Sequence, residues 1–260
     1  PGGTYANQVG QSVCHTCSKG KYSTGSAATC TSCTAGTYQS AMGSTNCMDS
    51  KPGQFSPSGS YQCSTCHAGT YSLAAAPKCT NCVAGKVSDS GVSVCTDCAA
   101  GKFSFAAEGS CTDCPAGKYN TVAASATCTS CEAGMYSSSG VTSCETCPSG
   151  KYSGIASASC QPCAAGTYTS VPKSSTCMKC DKGKYQGNVG TTFCYSCNPG
   201  TYAATTGQLT CQNCAPGTYT PDYATAVCES CIPGTYTKRS AATYCDDCLQ
   251  GQYQPSSGSV

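Results

Sequence analysis

Apolar positions recur in this chain neither every three or four residues, as on one face of a helix, nor in strict alternation, as along a half-buried strand. They recur once every 16 or 17 residues, as a pair of cysteines followed, three residues after the second, by Gly-x-Tyr. Gly20-Lys21-Tyr22, Gly117-Lys118-Tyr119 and Gly234-Thr235-Tyr236 are three of the copies. Phe55 and Phe103 replace the tyrosine, and Val87 is the single aliphatic substitute. Between the aromatic and the next cysteine the chain is rich in Ser, Gly and Ala, as in Ser137-Ser138-Ser139-Gly140. The distance from cysteine to Gly-x-Tyr never varies, so the one-residue difference between copies falls in that polar stretch. This predicts a packed fixed half and an exposed turn that tolerates an extra residue.

The paired cysteines are Cys14/Cys17, Cys30/Cys33, Cys63/Cys66, Cys79/Cys82, Cys95/Cys98, Cys111/Cys114 and Cys128/Cys131. The series continues with Cys144/Cys147, Cys160/Cys163, Cys177/Cys180, Cys194/Cys197, Cys211/Cys214, Cys228/Cys231 and Cys245/Cys248. Cys47 belongs to a degenerate copy in which Ser50 takes the second place. The spacing is 16 in most of the first half and 17 from Cys160 onward. Residues 1–260 therefore form one continuous array of about fifteen repeats rather than separate domains. Both ends read as cut within a repeat: Gly3-Thr4-Tyr5 lacks its cysteine pair, and Gly251-Gln252-Tyr253 lacks the next cysteine.

Composition narrows the class. The chain has 29 Cys, 29 Gly, no Trp and 10% charged residues. Leu is limited to Leu73, Leu209 and Leu249, Ile to Ile155 and Ile232. No conventional apolar core can be built from these, and a cysteine content of this order indicates a scaffold held by cross-links. The formal charge of +2 is too small and too dispersed for nucleic acid or a membrane surface. No apolar run is long enough to span a bilayer.

Each sulfur bonds once, so equivalent repeats leave three pairing rules. A bond can lie within a motif, run from a second cysteine to the next first, or run from a first to the next second. The ring inside Cys-x-x-Cys is strained and typical of redox proteins. Second to next first, as in Cys17 with Cys30, is the shortest relaxed option, closing loops worth about 3 kcal/mol each in the chain-entropy model.

The unit Cys-x-x-Gly-x-Tyr/Phe-x(7–8)-Cys resembles the single-disulfide module that opens the cysteine-rich domains of tumour-necrosis-factor receptors. As a tandem array with Cys-x-x-Cys junctions it resembles the ephrin-receptor-like cysteine-rich repeat, to which Cys114-Pro115-Ala116-Gly117-Lys118-Tyr119 is a close match. The resemblance covers the whole chain. It implies disulfides across the Gly-x-Tyr loop: Cys17–Cys30, Cys33–Cys47, Cys66–Cys79, Cys82–Cys95, Cys98–Cys111, Cys114–Cys128 and Cys131–Cys144. It further implies Cys147–Cys160, Cys163–Cys177, Cys180–Cys194, Cys197–Cys211, Cys214–Cys228 and Cys231–Cys245. Cys14, Cys63 and Cys248 are then left over, Cys63 because Ser50 stands where its partner would be. Long arrays of this kind occur in surface and extracellular proteins of protists and algae, flagellar mastigoneme proteins among them.

The expected fold is small, disulfide-rich and β: tandem hairpins, three or four residues per strand, stacked as an elongated rod or solenoid. One such hairpin is barely stable alone, so stability should be roughly nearest-neighbour. The glycine permits a positive-φ turn or a close backbone approach before the aromatic. The tyrosine ring is expected against the disulfide, with its hydroxyl toward solvent or a backbone carbonyl. Pro52, Pro115, Pro148, Pro199, Pro216 and Pro233 stiffen the link to the glycine.

Chemistry finds little purchase. A four-thiolate zinc site matches the spacing outwardly, but it would bury dianionic thiolates with few basic residues around them. Thioredoxin-like catalysis needs a single Cys-x-x-Cys at a helix start. His15 and His67 read as surface variants, and Asp97, Asp113, Asp246 and Asp247 as solvated. Lys21, Lys86, Lys102, Lys118, Lys151 and Lys184 share one slot that threonine fills elsewhere. No Asn-x-Ser/Thr sequon is present, while the run from Thr169 to Thr176 suits O-glycans. The expected function is a non-enzymatic extracellular or cell-surface structural protein, without cofactor or metal. It forms or stiffens a filament, flagellar appendage or surface coat through self-association or other filament subunits. The alternative is the stalk of a receptor or adhesin whose binding head lies elsewhere.

Overall fold

A computed structural model describes residues 1–260. The chain contains no helix; it consists of fifteen two-stranded sheets in tandem. The strands are two residues long, not three or four, and each hairpin straddles a cysteine pair rather than filling one disulfide loop. One strand is the x-Tyr of Gly-x-Tyr; the other is the x-x inside the next Cys-x-x-Cys. Thus Thr4–Tyr5 pairs antiparallel with His15–Thr16, and Tyr185 lies opposite Tyr195. Each strand runs into a buried residue at its C-terminal end, as Tyr22 into Ser23 and Ser32 into Cys33.

The turn is dictated by Cys-x-x-Gly. The residue after Gly donates its N–H to the carbonyl three positions back, as from Gln54 to Lys51 at 3.0 Å and from Thr201 to Asn198 at 3.0 Å. The glycine, third of the four, has φ near +80° (Gly53 +79°, Gly200 +81°), which is the requirement of a type II turn. Pro52 and Pro199 occupy the second position, where their fixed φ belongs.

Contacts group the chain into two compact units: residues 1–115, 119–129 and 139–143, and residues 116–118, 130–138 and 144–260. Neither has an apolar core of the usual kind. In the first, the buried apolar side chains are the second cysteines Cys17, Cys33, Cys66, Cys82, Cys98 and Cys114. In the second they are Cys131, Cys147, Cys163, Cys180, Cys197, Cys214 and Cys231, with Ala203 and Ala242. Leu73, Ile155, Val171, Leu209 and Ile232 are exposed. A line of half-cystines thus stands where a larger protein would place leucines.

Candidate functional site

Within each unit the repeated feature is the junction between consecutive hairpins, and it is built from backbone. The Gly-x-Tyr glycine donates its N–H to the carbonyl of the residue after the next aromatic: Gly53 to Ser72 at 2.9 Å, Gly166 to Gln186 at 2.7 Å. That following residue sends its own N–H one repeat further on, as Ser72 does to Val92 and Gln186 to Gln208. A residue with left-handed φ in each loop then reaches back to the second cysteine of the repeat before. Gly59 bonds Cys33 and Gly190 bonds Cys163 in this way. Three backbone hydrogen bonds of this kind, together with the disulfide, join one hairpin to the next.

The structure pairs Cys17–Cys30, Cys33–Cys47, Cys66–Cys79, Cys82–Cys95, Cys98–Cys111, Cys114–Cys128 and Cys131–Cys144. It also pairs Cys147–Cys160, Cys163–Cys177, Cys180–Cys194, Cys197–Cys211, Cys214–Cys228 and Cys231–Cys245. In each, the second cysteine is buried and the first lies nearer the surface. Cys14, Cys63 and Cys248 are free.

The glycine is required twice over. Besides its positive φ, it lies against the backbone of the loop two repeats ahead. A Cβ on Gly69 would sit 2.1 Å from the Ala107 carbonyl oxygen, and one on Gly117 2.0 Å from that of Ala156. No side chain fits there at any φ.

The polar half of the repeat is not wholly exposed. The residue directly after the aromatic is buried in repeat after repeat: Ser72, Ser104, Asn120, Ser153, Gln186 and Thr237 are all under 5% exposed. Where it is polar it replaces water for backbone groups at the junction; Ala203 is the apolar exception. Ser72 Oγ donates to the Gln54 carbonyl at 2.8 Å and Ser153 Oγ to that of Met135 at 2.9 Å, each in the strand of the preceding hairpin.

The Gly-x-Tyr tyrosines from Tyr5 to Tyr236 are half-buried, and several meet their cross-strand partners rather than only solvent or backbone. Tyr5 packs on His15 with centroids 5.4 Å apart, and Tyr185 on Tyr195 at 5.9 Å, with Phe193 edge-on to Tyr195 at 4.9 Å. Two hydroxyls donate to carboxylates: Tyr136 to Glu145 at 2.6 Å and Tyr219 to Glu229 at 3.2 Å. The Glu145 carboxylate, as acceptor and as neighbouring charge, raises the Tyr136 phenol above its ordinary range, and Glu229 does the same to Tyr219.

Three of the four aspartates expected to be merely solvated form ion pairs. Register sets Lys86 opposite Asp97 and Lys102 opposite Asp113, and both pairs close. Arg239 reaches Asp246 at 3.1 Å while lying over the Tyr244 ring. Asp247 stays exposed opposite Thr235. All these groups are at the surface, where such pairs add little to stability. Of the lysine slot, Lys21, Lys118, Lys151 and Lys184 form no ion pair. His67 is an exposed turn residue.

These features define a class: a tandem array of disulfide-closed hairpins joined through backbone. The family model for the ephrin type A/B receptor-like region of tyrosine-protein kinases matches residues 20–49, 150–192 and 183–226. No curated protein matches the chain. Over those stretches the chain is similar to the ephrin-receptor-like cysteine-rich repeat, and the same disulfide-closed hairpin recurs along the array. Repeats of this kind are a non-catalytic module type, and with this density of disulfides they indicate an extracellular or surface location and a structural or receptor-stalk role. No helix is long and apolar enough to cross a membrane.

Proposed function

We propose that the array is a mechanical element of an extracellular filament, a mastigoneme-like flagellar appendage or a cell-surface coat. The carrying observation is the junction itself: each unit ties hairpin to hairpin by backbone hydrogen bonds, with a disulfide closing every complete loop but that from Ser50 to Cys63. Such a construction resists extension along the chain because no single contact bears the whole load. It needs no apolar core and leaves the Ser/Thr-rich turns free to carry O-glycans, which would keep a weakly charged chain soluble. The second reading, a stalk for a binding head elsewhere in a longer protein, uses the same stiffness.

Self-association separates the two. Sedimentation velocity and negative-stain microscopy of the oxidised chain should show concentration-dependent assembly into fibres if it is a filament element. A strictly monomeric species at high concentration would instead favour the stalk. Intact mass before and after reduction, together with glycan release, tests the O-glycan part: a mass equal to the bare oxidised chain removes it.

A further inference from the structure

The repeat that runs from Ser50 to Cys63 departs from its neighbours at three points. Ser50 keeps the backbone role of a second cysteine: its N–H donates to Gly36 at 2.9 Å and its carbonyl accepts from Ala75 at 2.9 Å. By that register its side chain is aimed where a second cysteine would meet the sulfur of residue 63. No bond forms, and Ser50 Oγ, wholly buried, has no hydrogen-bond partner. Ser56, the buried residue after the aromatic in the same repeat, is equally orphaned. Its counterparts Ser23, Ser72 and Ser88 all donate to the strand of the hairpin before. The third departure is Cys63, a free thiol that is only partly accessible. Burial pushes it above the ordinary thiol range, against a smaller opposing effect of the Lys51 backbone. The closed repeat therefore holds an unready thiol and two unsatisfied hydroxyls, and each hydroxyl gains a water partner when the repeat opens.

We propose that the 50–63 repeat is the first of its unit to open and that opening turns Cys63 into a gated modification site for thiol–disulfide exchange. The Cys63 thiolate attacks one sulfur of an external disulfide, R–S–S–R. The S–S bond breaks, a Cys63–S–S–R bond forms, and the second half leaves as a thiolate that takes up the proton. Electrons balance without an oxidant. The inference does not depend on the mechanical reading: a stalk would carry the same site.

The test uses the whole oxidised chain, with Cys14, which is exposed, as internal reference. It is pulsed with N-ethylmaleimide in rising urea and mapped by mass spectrometry, beside amide exchange of residues 51–63 and 67–79. In native buffer Cys63 should react at least about tenfold more slowly than Cys14. It should reach the Cys14 rate at a urea concentration where 67–79 is still protected. Equal rates in native buffer, or labelling only when 67–79 also exchanges, would overturn the proposal. Ser56→Ala removes one orphaned hydroxyl and should slow Cys63 labelling about fivefold; an unchanged or faster rate would overturn the role given to that group. Ser50→Cys should close a disulfide to Cys63 and abolish its labelling, and a still-reactive Cys63 would refute the register. With glutathione disulfide as probe, the opened chain should gain one glutathione at Cys63 and release one.

Discussion

Short-loop and long-loop repeats solve one problem in two ways. Disulfides with a sequence separation of 13 enclose serine after the aromatic: Ser23, Ser72, Ser88, Ser104, Ser137 and Ser153. Disulfides with a separation of 14 never do; they enclose Gln39, Asn120, Thr169, Gln186, Ala203, Thr220 and Thr237. The extra residue always falls between this buried position and the left-handed residue of the loop. Ser72 precedes Ala75 by three positions and Gln186 precedes Gly190 by four, while the left-handed residue stands four before the cysteine in both. In short loops the serine hydroxyl reaches the neighbouring strand directly. In long loops Asn120 still reaches the strand, donating to the Lys102 carbonyl at 2.9 Å, while Gln186 spans the widened loop instead. Its Nε2 donates to Phe193 at 2.9 Å, and its Oε1 accepts from Asn188 at 3.0 Å; Gln39 bonds Asn46 and Ala41 in the same way. The strand carbonyl that serine would have served is then met from the loop, as Thr225 meets Thr201 at 3.2 Å. Loop length and the buried side chain are thus one choice, while the frame around them does not change.

The largest expected effect tests that constancy. Gly69→Ala in a short-loop repeat and Gly117→Ala in a long-loop repeat should cost about the same, some 3–5 kcal/mol each, because the Cβ meets a backbone carbonyl in both. Thermal unfolding of the oxidised chains, alongside Gly234→Ala where nothing lies within 4 Å, separates this clash from the backbone penalty. Markedly different costs at 69 and 117 would show that the frame does respond to loop length.

Exchanging the buried residues comes next. Ser88→Gln overfills a short loop and Gln186→Ser strands two backbone groups in a long one, each costing about 2–3 kcal/mol. Deleting Gly187 along with Gln186→Ser rebuilds the short-loop arrangement and should recover most of the loss; no recovery in urea midpoint would sever loop length from residue choice. A smaller gain follows from Ala107→Gly, since Ala107 holds φ +64°. Relief of that conformation should stabilise by about 1 kcal/mol, read as slower amide exchange in the Cys98–Cys111 loop.

The smallest effect is electrostatic. Glu145→Gln should return the Tyr136 phenol toward its ordinary range, followed by phenolate absorbance during alkaline titration. The pKa is raised in the folded chain, so the contribution is present below the unfolded tyrosine value and is lost as pH rises through the folded one. Both partners are at the surface, so the change should appear in the titration and not in the melting temperature. An unshifted titration would mean that the hydrogen bond is absent in solution.

Much of this was legible in the one-dimensional pattern. Repeat length, phase and the need for glycine followed from spacing, because a disulfide-closed turn uses the same few residues every time. Strand length was overestimated: nothing in Gly-x-Tyr says that pairing stops after two residues. The buried serine was hidden in what looked like exposed turn. Sequence polarity marks a side chain's affinity for water, whereas Ser72 and Ser153 are inside because their backbone groups are fully used by the repeats on either side. For the same reason the charged pairs Lys86–Asp97 and Lys102–Asp113 could not be seen before register was known.

By itself, then, the amino-acid order determined the period, the hairpin class, the absence of a conventional core and the copy that lacks its second cysteine. These are local matters, settled by turn chemistry and by the sulfur available within one repeat. Tertiary structure alone decided that the Gly-x-Tyr glycines from Gly3 to Gly217 face a carbonyl two repeats away, and that loop length is matched to the residue after the aromatic. It alone decided that Ser50 and Ser56 are orphaned together. Those facts depend on which backbone groups of neighbouring hairpins meet, and no single repeat contains them.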